Sequence, residues 1–377
     1  MKLAISDSLR SIAPFAFRRN GGKTPATDPV SSSRVLKLHG SLVEHHPSTT
    51  GSKKPVTDYL RTYLKNAGFT VETQPVAEGR ENIFAYYKTR KTRVLMMSSV
   101  VPRVRYWQHK RRGDEIWGRE SLDVMSINAA LIVSVMEMHE KKEIGESDVA
   151  LLFVVDKEPR DGRMRAAKTL GLSWESIIFC APTELKLATG HKGTFTFKIK
   201  AKGKEGCSAF PETGTNAIDS LARGLVALQQ AELPSSTEFG KTTIHIAHIE
   251  GGGWSVDIPA NASAFGIVWF AAGTADEMKD IIKKVVDESD PHLSVEFSTF
   301  ADDPLSLDHD VEGFEKAVVS YGTGISLIEG DHKKYLYGPG SLHEPHSDHE
   351  HLVSELEGAV EGYKALISHA LQKPKGF

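Results

Sequence analysis

The stretch Val149-Ala-Leu-Leu-Phe-Val-Val-Asp156-Lys157-Glu158-Pro159-Arg160-Asp161-Gly162 runs an apolar segment directly into a cluster of charge. Six of its first seven residues are Val, Leu or Phe, a composition suited to a strand covered on both faces. Ligands in open α/β sheets bind beyond the carboxyl ends of such strands, so chemistry is expected around Asp156, Lys157 and Glu158. An isolated charge cluster at a strand exit is ordinarily just solvated. The segments on either side decide between these readings.

Working outward, residues 127–140 carry a helical pattern and residues 177–182 a second apolar strand, with a short helix expected near 163–170. Upstream, Tyr59, Leu60, Tyr63 and Leu64 share one helical face ahead of Gly68, and β-type runs follow at 69–76, 82–87 and 93–101. Strands alternating with helices predict an α/β domain whose sheet is mixed, largely parallel and sandwiched by helices. Beyond Gly193 the pattern changes. Residues 194–202 alternate strictly, as a half-exposed strand does, and a helix (217–231), strands (242–249, 263–270), a helix (275–288) and a strand (293–299) follow. That β-α-β-β-α-β order predicts an inserted ferredoxin-like α+β lid or dimerisation domain over 192–300, with an edge strand able to pair with a second copy. The α/β domain then comprises 33–191 and 301–377, closing with a helix over 353–371. Residues 1–32 are read as a disordered leader.

The totals narrow the function classes. A net charge of -3 gives no electrostatic case for nucleic acid or an anionic membrane. Two cysteines, Cys180 and Cys207, exclude a disulfide framework and a cysteine-rich zinc site. The first 20 residues have their apolar positions interrupted by Asp7, Ser8, Arg10 and Pro14, which makes a poor secretory signal and too short a span for a membrane. A cytoplasmic location is expected.

Four separated loops carry carboxylate or imidazole groups at predicted strand ends. They hold Asp123, the 156–158 cluster, Pro182-Thr-Glu184, and Tyr337-Gly-Pro-Gly-Ser341 leading to His346-Ser-Asp-His-Glu350. Hard oxygen and borderline nitrogen donors converging in this way suit a divalent metal such as zinc. Together with Arg112-Gly-Asp-Glu-Ile-Trp-Gly-Arg119, Gly190-His-Lys-Gly193, Asn216-Ala-Ile218 and Val360-Glu-Gly-Tyr363, these motifs resemble the zinc aminoacylase, acetylornithine deacetylase and glutamate carboxypeptidase family over nearly all of residues 33–371.

The resemblance implies two zinc ions bridged by one Asp, which Asp123 matches. Glu158 and His346 match the remaining ligands of one ion. At the other ion the family's His and orienting Asp fall on Met97 and Ser99, and the carboxylate ahead of Pro182 falls on Ala181, so the resemblance implies that this second site is lost. The family's general base falls on Lys157. Its lid His, which reaches the oxyanion from the partner subunit, falls on Cys207, and its substrate-gripping lid Arg falls on Trp269. Gly338 and Gly340 are expected at the substrate.

Asp123, Glu158 and His346 therefore either hold at most one ion or form a metal-free cluster with Lys157; the cofactor is none, or one divalent metal. The leading expectation is metal-independent acid–base chemistry by Lys157, Asp123 and Glu158 on a small molecule, such as cyclisation, isomerisation or condensation in a specialised biosynthetic pathway. The alternatives are a single-metal amide hydrolase of the deacylase or carboxypeptidase kind and a non-catalytic scaffold. A small-molecule substrate and a homodimer through the inserted domain are the expected partners, with neither nucleic acid nor membrane.

Overall fold

The computed structural model describes residues 33–45, 54–77, 80–99, 110–112, 115–117, 121–154, 169–254, 256–328, 330–341 and 349–372. The leader at 1–32 and most of the expected 163–170 helix fall outside them.

Six strands form the main sheet in the order Thr70–Ala77, Arg80–Tyr86, Val149–Val154, Val94–Ser99, Ser176–Cys180, Lys333–Tyr337. The first two junctions are antiparallel and the last three parallel, so the sheet is mixed and largely parallel as expected. Every residue of Val149–Val154 is buried, which is why that strand reads as an unbroken apolar run. Alternate side chains divide the core. Val94 and Met96 face the helices Arg34–Glu44, Lys54–Asn66, Ile127–Glu140 and Val353–Leu371 through Leu38, Leu60, Leu131 and Leu366. Leu95 and Met97 face the other side, where Ala188, Val319 and Ile325 close the core.

That second face is buried as well. Among the described residues it is covered by a three-stranded sheet in the order Leu305–Ser306, Leu187–His191, Lys316–Val319 and by the turn at Ile325–Leu327.

A four-stranded antiparallel sheet follows, ordered Thr243–Gly251, Asn261–Phe270, Gly193–Lys202, Leu293–Asp302. Phe195, Phe197, Ile199 and Ala201 alternate inward against the helices Ala217–Gln230 and Ala275–Ser289, each large apolar side chain contributing roughly 1.5–3 kcal/mol on burial. The helix starts are set locally. Asn216 Oδ1 accepts from the Ile218 amide at 2.9 Å, and Thr274 and Glu277 form a reciprocal capping box. The outer strand, Thr243–Gly251, is exposed along most of its length and pairs on one side only among the described residues.

This sheet joins the remainder through very short connections. Lys192 alone separates Leu187–His191 from Gly193–Lys202, and Asp303 and Pro304 separate Leu293–Asp302 from Leu305–Ser306. Both joints are pinned to one loop. His191 Nε2 lies 3.1 Å from Thr323 Oγ1, while buried Asp302 accepts from the Gly324 amide at 2.8 Å and from the Ser326 hydroxyl. Lys192 Nζ donates to the Lys241 carbonyl at 2.6 Å.

Candidate active site

The strands Val94–Ser99, Val149–Val154, Ser176–Cys180 and Lys333–Tyr337 run parallel, so their carboxyl ends share one edge of the sheet. Topology thus delivers the segments after Ser99, Val154, Cys180 and Tyr337 to one place, the usual ligand site of an open α/β sheet.

Two of those segments are described, and they are zipped together. The Thr183 amide donates to the Gly338 carbonyl at 3.1 Å, Leu185 donates to the same oxygen at 3.2 Å, and Glu184 donates to the Gly340 carbonyl at 3.0 Å. Tyr321 donates its hydroxyl to the Pro182 carbonyl at 2.6 Å, and buried Tyr363 donates to the Tyr337 carbonyl at 3.2 Å. Glu184 and Leu185 both adopt left-handed backbone angles, φ 56° and 58°. Non-glycine residues hold that conformation only where their surroundings impose it. Gly338 sits so close to its neighbours that a Cβ there would meet the Ala181 carbonyl oxygen at 2.6 Å. Gly338 and Gly340, read from sequence as substrate contacts, are buried backbone partners of the 182–185 turn.

Asp123 lies on a π-helical turn, Ser121–Ser126, leading into Ile127–Glu140. Just beyond it, Asn128 is 1% exposed and donates Nδ2 to the Ser99 carbonyl at 2.9 Å. Neither Asn128 nor the buried Ser126 was singled out by sequence reasoning. The available signal was two polar residues opening an otherwise apolar helix. Tyr321 and Tyr363 were also missed as braces of the loops.

Lys157, Glu158 and His346 lie outside the described residues. Cys207 and Trp269 belong to the four-stranded module and not to this loop cluster. Cys207 is exposed on a short ribbon, Gly206–Cys207 against Asp257–Ile258. Trp269 is half-buried on the sheet face opposite the helices. Met97 is 3% exposed within an apolar cluster that also contains Leu95 and Phe179, and Ala181 packs against it. No group of three or more His, Cys, Asp or Glu that could hold a metal occurs among the described residues. The expected set of two carboxylates and one imidazole, Asp123, Glu158 and His346, has the donor chemistry of a single divalent ion. No helix among the described residues is long and apolar enough to cross a membrane.

A mixed α/β core bearing a β-α-β-β-α-β module, with loops gathered at the strand ends, is the architecture that the sequence resemblance implies, and the comparisons identify the class as peptidases. Residues 189–295 match the family model described as a peptidase dimerisation domain. A protein named probable carboxypeptidase from Aspergillus clavatus is 35% identical over 403 residues, covering 97% of this chain and 96% of the relative. A peptidase M20 domain-containing protein from Schizosaccharomyces pombe is also 35% identical, covering 91% of this chain and 86% of the relative. The chain belongs to the M20 peptidase family. Its fold is similar to that of the aminopeptidase PepT from Bacillus cereus (TM-score 0.70, 15% identity, 90% of this chain and 98% of that one). It is similar as well to that of an M20 family metallo-carboxypeptidase from Sulfolobus solfataricus (TM-score 0.68, 13% identity, 89% and 99%).

These findings overturn the leading sequence expectation. Metal-independent cyclisation, isomerisation or condensation was inferred from the ammonium at Lys157 and from the lost ligands. Likeness to proteins named as carboxypeptidases extends through nearly the whole chain and points to peptide hydrolysis instead.

Proposed function

We propose that the protein is a carboxypeptidase-type amide hydrolase acting on small peptides or N-acylated amino acids, with one divalent cation held by Asp123, Glu158 and His346. The observation that carries this reading is the 35% identity to a protein named probable carboxypeptidase, spread over 97% of the chain. One ion rather than two is supported by the packing of Met97 and Ala181 into an apolar cluster, since a thioether and a methyl are poor partners for a hard dication. A cation at this position would supply Lewis acidity to the scissile carbonyl and ease deprotonation of an attacking water.

The chain's own residues supply the frame. The Pro182–Leu185 turn is locked to Gly338 and Gly340 at the strand ends, which holds its backbone fixed beside the proposed site. Trp269, half-buried on the module face opposite the helices, is an aromatic side chain suited to an apolar substrate group. The match to a peptidase dimerisation domain supports a homodimer formed through this module.

The test is metal content and turnover together. Purified without chelator, the protein should carry about one equivalent of zinc. It should release the C-terminal residue from a blocked dipeptide such as benzyloxycarbonyl-Gly-Phe. Chelation should abolish that activity and added zinc restore it, and Glu158→Gln and His346→Ala should lose both metal and turnover. A zinc-loaded protein that cleaves no blocked dipeptide or N-acyl amino acid would overturn the reading.

A further inference from the structure

The helix Ile127–Glu140 is apolar through most of its buried length, yet its first turn contains one fully buried carboxamide, Asn128, two residues after a buried hydroxyl, Ser126. Asn128 Nδ2 reaches across to the Ser99 carbonyl, the last residue of Val94–Ser99. Its Oδ1 and the Ser126 Oγ have no hydrogen-bond partner among the described residues. A buried polar oxygen left unpaired is destabilising, and leucine would fill a similar volume without that penalty. The half of the amide that is satisfied, the bond to Ser99, is therefore what the position provides.

That bond joins two particular pieces of backbone. One end is the carboxyl terminus of a central strand at the site edge. The other is the turn immediately following the π-helical segment that carries Asp123. A π turn holds an extra residue relative to an α-helix and is seldom stable unless its flanks hold it. We propose that Asn128 is a positioning residue for the backbone that carries Asp123, its carboxamide strapping the π turn to the end of the Val94–Ser99 strand. This rests on the hydrolase reading with a cation at Asp123. Strap residues of this kind act through the ligand and not on the substrate, and their loss typically lowers metal affinity about 10–100-fold.

The experiment is zinc affinity by competition with a chromophoric chelator, on the full chain stripped of metal and reloaded. Asn128→Leu keeps the buried volume and removes the donor. It should weaken zinc about 10–100-fold, with kcat falling at saturating zinc and KM little changed. Leu131→Met, a volume-conserving change one turn further along, should leave affinity within about twofold. Asn128→Thr, which keeps a hydroxyl but lacks the reach, serves as the second variant and should weaken zinc likewise. Wild-type affinity in either folded variant would overturn the proposal while leaving the hydrolase reading intact. Absence of zinc binding by the wild type would overturn the hydrolase reading and this inference with it. Failure of both variants to fold would assign Asn128 a purely structural role and overturn the proposal.

Discussion

Thr183 and Gly338, 155 positions apart in sequence, hold each other from both sides: the Gly338 amide donates to Thr183 Oγ1 at 3.1 Å, while the Thr183 amide and hydroxyl donate to the Gly338 carbonyl at 3.1 and 3.2 Å. Both groups are buried, so water cannot substitute for any of the three bonds. The pair closes the seam between two loops at the strand ends. Thr183→Val should destabilise the fold by about 1–3 kcal/mol, because it leaves the Gly338 amide without a partner. Urea denaturation measures this, and a loss below about 0.3 kcal/mol would show that the seam is held elsewhere.

Asp290 provides a pH signature. Burial alone would raise its carboxyl, but the His292 amide, the Arg223 guanidinium and the His292 side chain override that and hold it at about 2. Because the folded value is depressed, the stabilisation is fully present above the unfolded value near 3.9 and is lost as pH falls through about 2. With Arg223 more than half exposed, the effect is discounted to about 1–2 kcal/mol. Guanidinium unfolding of Asp290→Asn against wild type should show this gap at pH 6 and a shrinking one between pH 4 and 2. A gap independent of pH would refute the assignment.

The two thiols should separate cleanly. Burial pushes Cys180 up to about 12, whereas Cys207 is exposed. At pH 8 a disulfide reagent such as 5,5′-dithiobis(2-nitrobenzoate) should titrate one thiol in the native protein and two in denaturant, and Cys207→Ser should abolish the native reaction. Rapid native modification of both would show that the strand Ser176–Cys180 opens.

Lys157 occupies the position that the family resemblance gives to the general base. Under the hydrolase reading, Lys157→Glu restores a proton acceptor and should raise kcat at least about 100-fold on blocked dipeptides. Steady-state kinetics at fixed zinc decide it. Unchanged turnover would show that the ammonium is not what limits hydrolysis.

Periodicity carried much of this architecture. Residues 194–202 alternate because one face of Gly193–Lys202 packs on helices and the other is exposed at Lys198, Lys200 and Lys202, and Val149–Val154 is uniformly apolar because both faces are covered. The strand Leu187–His191 was not legible. Its Leu-Ala-Thr-Gly-His composition has no β signature, and its extended form is imposed by neighbours on both sides, Lys316–Val319 and Leu305–Ser306. The π turn at Asp123 was equally hidden, since one added residue leaves no trace in a helical pattern. Reading the function failed for a different reason. The ammonium at Lys157 and the lost ligands of the second ion outweighed a likeness distributed over nearly the whole chain.

With a lone lysine on one side and two residues on the other, the joints between the four-stranded sheet and its host have no slack. Any swing of that module must be a torsion about a few backbone bonds anchored at Thr323 and Asp302. A graft of this block into another scaffold would inherit its bearing angle, so compatible recipients are those whose two attachment points already match in spacing and direction.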